Sequence, residues 1–118
     1  MSTRALLLAA TLLLAAVAAA AARTGAPLLG GWSPIRDVSD PHIQELGGWA
    51  VAEHVRLAND GLRFGEVTGG EEQVVSGMNY KLVLDATDGE GTVAAYGAFV
   101  YEQEWTNTRE LVSFAPAK

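Results

Sequence analysis

The sequence predicts an α+β domain, a single helix packed on one face of an antiparallel sheet. Three observations carry this. A stretch opening at Asp40-Pro41 repeats apolar residues with a helical period and stops at Asn59-Asp60-Gly61. Everything after Gly61 reads as strand and turn. The strand segments follow one another with short punctuated connections, the pattern of a meander rather than of crossover units.

The first 22 residues stand apart from that domain. Met1 to Arg4 carries one positive charge, Leu6 to Val17 is a Leu/Ala core, and Ala20-x-Ala22 supplies small residues for cleavage. This is the pattern of a secretory signal peptide cut after Ala22. The apolar run from Ala5 to Ala22 reaches the length of a membrane span, but it is mostly Ala and only a lone Arg23 follows it. A cleaved leader is the better fit. Residues 23–34 then form a flexible trunk with Gly25, Pro27, Gly30, Gly31 and Pro34, and residues 35–118 form the domain.

Within the domain, Ile35 and Val38 begin a first strand. Asp40 is a good N-cap and Pro41 loses nothing at the first helical position. Ile43, Leu46, Gly47, Ala50, His54, Leu57 and Ala58 recur at i, i+3, i+4 and i+7, so they make the buried stripe, with Trp49 and Val51 beside it. Gly47-Gly48 costs about 1 kcal/mol per Gly relative to Ala. The pair implies either close approach of a neighbour or a weak helix. His54 in the stripe reads as a buried, hydrogen-bonded side chain. Leu62 to Thr68 is a strand, and Gly69-Gly70 marks a bulge or bend. Tyr80 to Ala86 alternates, with Leu82, Leu84 and Ala86 on one face. Asp88-Gly89-Glu90-Gly91 is a turn. Val93 to Glu102 is a long strand. Gln103 to Thr108 is a loop with Trp105 near its tip. Arg109 to Ala115 is the last strand, with Leu111, Val112 and Phe114 for the core.

Charge and composition exclude several functions. Cleavage would remove Arg4 and no acid, leaving 7 basic against 14 acidic side chains in 96 residues. That balance argues against nucleic acid and anionic membranes as partners. With no cysteine, the domain must hold by packing alone. No enzyme is assembled. His42 and His54 sit twelve apart on one helix, not three or four, so they do not make a pair of adjacent-turn ligands. Ser76 lies outside a nucleophile elbow. Asp85, Asp88 and Glu90 lack calcium-loop spacing. No catalytic residue, metal or cofactor is called for.

Three features have no structural use in this reading. Gln73-Val74-Val75-Ser76-Gly77 puts two β-branched apolar residues in a hairpin loop, where Gly, Asn, Asp, Pro or Ser is usual. Gly30-Gly31 precedes Trp32 and allows close backbone approach. Trp105 rides on a loop. Alternate connections of a meander fall at the same end of the sheet, so the two loops point one way and the N-terminal segment can join them. Together they form an apolar wedge with a Trp, a common interface anchor.

These features resemble the cystatins, specifically the plant-type branch (phytocystatins), which lacks disulfides. Gln73 to Gly77 matches the family's Gln-x-Val-x-Gly loop, Gly30-Gly31 its N-terminal glycines, and Leu46-Gly47-Gly48-Trp49-Ala50-Val51 its helix pattern. The resemblance runs from about Gly30 to Lys118. It implies a five-stranded antiparallel sheet around one helix (cystatin-like) and a reversible, tight-binding inhibitor of papain-like cysteine proteases. By resemblance, Gly30 and Gly31 enter the non-primed side of the protease cleft. Gln73, Val74, Val75, Ser76 and Gly77, with Glu104 and Trp105, fill the primed side. The family's usual Pro-Trp is Glu104-Trp105 here, which removes a fixed φ and implies a softer mount with weaker or more selective inhibition. Gly47-Gly48 replaces the usual Ala-Arg, and Val55 stands where Asn is frequent. These last two bear on stability more than on binding. Glu104 and the irregular helix motif support the rival reading, a non-inhibitory secreted binding protein of the same fold. A monomer is expected. Opening of the Val75 hairpin offers a route to a domain-swapped dimer.

Overall fold

The computed structural model describes residues 31–117. The leader, the first part of the trunk and Gly30 lie outside the described residues. Five strands and one helix follow in the order β1 (Trp32–Pro34), α1 (Pro41–Ala58), β2 (Arg63–Val75), β3 (Gly77–Thr87), β4 (Val93–Gln103) and β5 (Thr108–Pro116). A short 3-10 turn, Glu104–Thr106, joins the last two strands. The strands lie in sequence order and every neighbouring pair is antiparallel. This is the expected α+β meander.

Helix α1 begins and ends on local chemistry. The Asp40 carboxylate accepts from the His42 N–H at 2.9 Å, satisfying one of the first-turn donors left over in any helix. At the other end Asn59 adopts the left-handed conformation, φ 55, and its N–H reaches the Val55 carbonyl at 2.7 Å. The helix lays Ile43, Leu46, Gly47, Ala50 and Val51 against the sheet. From the sheet, Val67 of β2, Tyr80, Leu82, Leu84 and Ala86 of β3, and Ala98 and Val100 of β4 complete the core. The inward residues of β3 and β4 alternate as strand geometry requires.

Five expectations change. The first strand is Trp32–Pro34 rather than a segment beginning at Ile35. Ile35 and Val38 instead pack against the core from the segment that leads into α1. Val74 and Val75 are ladder residues, paired with Met78 and Gly77, so Ser76 alone turns the β2–β3 hairpin. Leu57 and Ala58 keep the helical spacing but are exposed, because the last turn runs past the elements that cover the helix. Val112 is exposed too. A register shift pairs Phe99 with Ser113 and Val100 with Leu111, which leaves Val112 unopposed at a bulge.

His54 is half-buried rather than buried. Its Nε2 lies 2.6 Å from Asp60 Oδ2, and its ring stacks on Phe114 at 4.2 Å. The two helix glycines separate in role. A Cβ on Gly47 would collide with Val67 Cγ2 and come within 2.9 Å of Phe64 Cε1, whereas on Gly48 it would sit 3.4 Å from Phe64. Overpacking costs about 1–3 kcal/mol, more than the helix-propensity gain of about 1 kcal/mol from Gly to Ala. Gly47→Ala should therefore lower the unfolding midpoint in a denaturant titration. Gly48→Ala should leave it unchanged or raise it. Equal midpoints for the two variants would contradict the close-approach role of Gly47.

Candidate functional site

The meander gathers one end of the sheet into a single edge. β2 ends there, β3 starts there, and β4 turns into β5 there. Trp32 of β1 pairs with Gln73, so Gly31, the residue before it, also arrives at that edge. Gly31, the Gln73–Gly77 tip and the Glu104–Trp105 loop are thus brought together as the sequence expects, and Gly30 remains outside the described residues.

The tip is braced from behind. Gly77 has φ +107, and a Cβ there would stand 2.6 Å from the Glu102 carbonyl oxygen, so only Gly fits the turn. The Ser76 carbonyl accepts the Tyr101 hydroxyl at 2.5 Å and the Gln103 side-chain amide at 3.2 Å. Asn79 Nδ2 donates to Gln73 Oε1 at 2.8 Å. The end of β4 therefore ties the first tip to the second loop. Val74 and Val75 stay more than a third exposed at the edge.

The second loop is short and closed. Asn107, with φ +56, sends its N–H to the Glu104 carbonyl at 3.0 Å. Thr106 Oγ1 donates to Gln103 Oε1 at 2.7 Å. Trp105 projects from this turn with 71% of its surface in water. On the outer sheet face nearby, Trp32 meets Phe99 edge-on at 5.8 Å, and Lys81 Nζ sits 4.1 Å over the Trp32 ring.

Behind the loop lies a polar network that sequence reading misses. Glu102 is 5% exposed and belongs to the inward row of β4 with Ala98 and Val100. An acid at an inward strand position is the signal that would have found it. Arg109 of β5 binds it through Nη2 at 2.6 Å and Nε at 3.1 Å. The same guanidinium holds Glu45 of α1 at 2.7 Å and 3.0 Å and lies 5.4 Å over the Trp49 ring. Its hydrogen bonds hold the Glu45 carboxyl below the usual carboxylate range. His42 Nε2 stands 2.6 Å from Glu102 Oε1 and 3.3 Å from Glu104 Oε2. Burial, with the Glu102 charge added, pushes the Tyr80 hydroxyl up to about 12. Ligand atoms of His42, Glu102 and Glu104 lie within 4.8 Å of one another. Arg109 already supplies the cation there, so the group is an ion-pair network as it stands. The cavity of about 500 Å³ beside it is open and lined by charged and polar groups with Trp49. It assembles no nucleophile with a base and an orienting partner.

Comparison with known proteins places this architecture. A family profile described as "Aspartic acid proteinase inhibitor" matches residues 35–117. Cysteine proteinase inhibitor 8 of rice (Oryza sativa subsp. japonica) is 67% identical over 95 residues, covering 80% of this chain and 77% of that protein. The chain belongs to the plant cystatins. A second rice relative, Cysteine proteinase inhibitor 6, is 60% identical over 116 residues and is covered over 93% of its length, against 97% of this cystatin. The salivary cystatin of the soft tick Ornithodoros moubata, a crystal structure, shares the fold with a TM-score of 0.66 at 22% identity, over 77% of this chain and 100% of that one. Family and relatives are protease inhibitors, not enzymes. The profile and the relatives are described by different protease classes, aspartic and cysteine.

Proposed function

We propose that this cystatin is a reversible, tight-binding inhibitor of papain-like cysteine proteases. Gly30 and Gly31 would enter one side of the active-site cleft, and Gln73–Gly77 with Glu104 and Trp105 the other. One observation supports it above the rest. Val74, Val75 and Trp105 are large apolar side chains left in water at one edge, where three separate chain segments converge. Exposed apolar surface gathered in this way fits a partner's groove. In this reading the wedge covers a catalytic Cys and His without presenting a peptide bond for attack, so it is not consumed. The brace on Ser76 keeps the tip in shape before contact, which lowers the ordering cost of binding. Secretion after cleavage near Ala22, and action as a monomer, belong to the same proposal. The relatives named as cysteine proteinase inhibitors favour that class over the aspartic one.

The test is titration of papain and, in parallel, of a pepsin-like aspartic protease. Stoichiometric loss of papain activity, recovered on dilution, supports the proposal. Inhibition of the aspartic enzyme alone overturns the target class. Inhibition of neither by the folded protein throws the weight onto the non-inhibitory binding protein.

A further inference from the structure

We propose that His42 is a positioning residue for the second loop: its bond to Glu104 clasps the Trp105 turn to the start of α1, and the clasp tightens in acid. This rests on the protease-binding role given to Trp105 above. The observation is a contact between two distant chain segments. His42 opens the helix at its capped end, and Glu104 is the first residue of the 3-10 turn that carries Trp105. Their side chains meet at 3.3 Å, at the same Nε2 that lies 2.6 Å from Glu102.

Protonation changes that contact in a definite direction. Neutral imidazole has a single N–H. An Nε2–H would be shared between Glu102 and Glu104, and Glu102 is the nearer acceptor. Two carboxylates two residues apart then repel each other across an uncharged ring. Imidazolium adds a full positive charge between them and an N–H on Nδ1, which faces Glu45 at 3.9 Å. The groups at the ring are Glu45 from α1, Glu102 from β4, Glu104 from the turn and Arg109 from β5, while the N-cap Asp40, just before α1, takes the His42 backbone N–H. Tyr80 of β3 is neutral and feels the same carboxylates. Glu45, Glu102 and Glu104, three acids at the ring, face the one guanidinium, so the site has room for a second cation. Histidine is the side chain whose ordinary titration falls between pH 5 and 8. The first tip shares the effect, because Gln103, next to Glu104, is hydrogen-bonded to the Ser76 carbonyl.

Dissociation constants for a papain-like protease would be compared between the wild-type protein, Glu104→Gln and His42→Gln at about pH 5 and about pH 8. The ratio of variant to wild type at each pH removes the protease's own titration. Glu104 is exposed, so the clasp has the strength of a surface ion pair, and each variant should weaken binding about three- to fivefold in acid but less than twofold at the alkaline end. The double variant should be no worse than either single one. A ratio that does not change with pH overturns the clasp, since a lost structural or direct contact would act alike at both. A readout without protease separates the two proposals. In the free protein, Trp105 fluorescence should differ between about pH 5 and about pH 8 in the wild type, and this difference should be lost in both Glu104→Gln and His42→Gln. The same fluorescence difference in wild type and variants sinks the clasp whatever the protease does. A difference lost in the variants of a protein that binds no protease keeps the clasp and sinks the inhibitor reading.

Discussion

Replacing Arg109 with Met is expected to cost about 3–5 kcal/mol of stability, the usual penalty for stranding one member of a buried ion pair. Glu102 is 5% exposed and takes two hydrogen bonds from Arg109. Without the guanidinium its nearest partner is His42 alone. Met keeps much of the apolar stem but supplies neither the charge nor the guanidinium over Trp49. For a domain of this size a loss of that order lowers Tm by more than about 10 °C. Adding Glu102→Leu should recover most of the loss, because an apolar pair of similar volume removes the uncompensated charge. The pH dependence gives an independent check. The folded-state pKa of Glu45 is depressed, so its contribution is present above the ordinary value of 4.5 and fades as pH falls through the depressed value. Glu45 is more than half exposed, so this share is small. The deficit of Arg109→Met should narrow slightly in acid, as the Glu45 share fades. A loss below about 1 kcal/mol would reduce the network to an ordinary surface pair.

This network also marks where sequence reading stops. The bounds of α1 are legible because they rest on neighbours in the chain: Asp40 with His42, and Asn59 with Val55. The inward row Leu82, Leu84 and Ala86 is legible because a strand has a period of two. His42 meets Glu102 across 60 positions, and Glu45 meets Arg109 across 64. No local pattern encodes those distances. Val112 fails for the same reason, since its bulge is a property of two strands rather than one. β1 is only three residues long and holds a Pro, too short for any period to show. The edge that gathers Gly31, the tip and Trp105 was legible from topology alone, because a meander has only two ends. What the sequence could not give was the bracing of that edge. Tyr101 and Gln103 are hydrogen-bonded to the Ser76 carbonyl from 25 and 27 residues away.

Truncating Trp105 to Ala is expected to weaken binding to a papain-like protease about 30- to 1,000-fold, the 2–4 kcal/mol range of an interface anchor. The same change should leave thermal stability within about 0.5 kcal/mol, since surface positions outside caps and networks rarely do more. The two expectations separate because the indole takes almost no part in the fold. It is 71% exposed, and the turn beneath it closes through the Asn107–Glu104 backbone bond and the Thr106–Gln103 contact, neither of which uses it. A side chain that the fold does not need, large enough to bury roughly 150–250 Å², is one whose loss a partner would register. Val75 supplies less area and is partly covered by its own ladder, so Val75→Ala should lose much less than Trp105→Ala. Equal affinity for wild type and Trp105→Ala would move the contact away from the second loop. A marked fall in stability would mean that Trp105 works for the fold after all. Loss of affinity at constant stability is the outcome that fits a wedge built on one edge of the sheet.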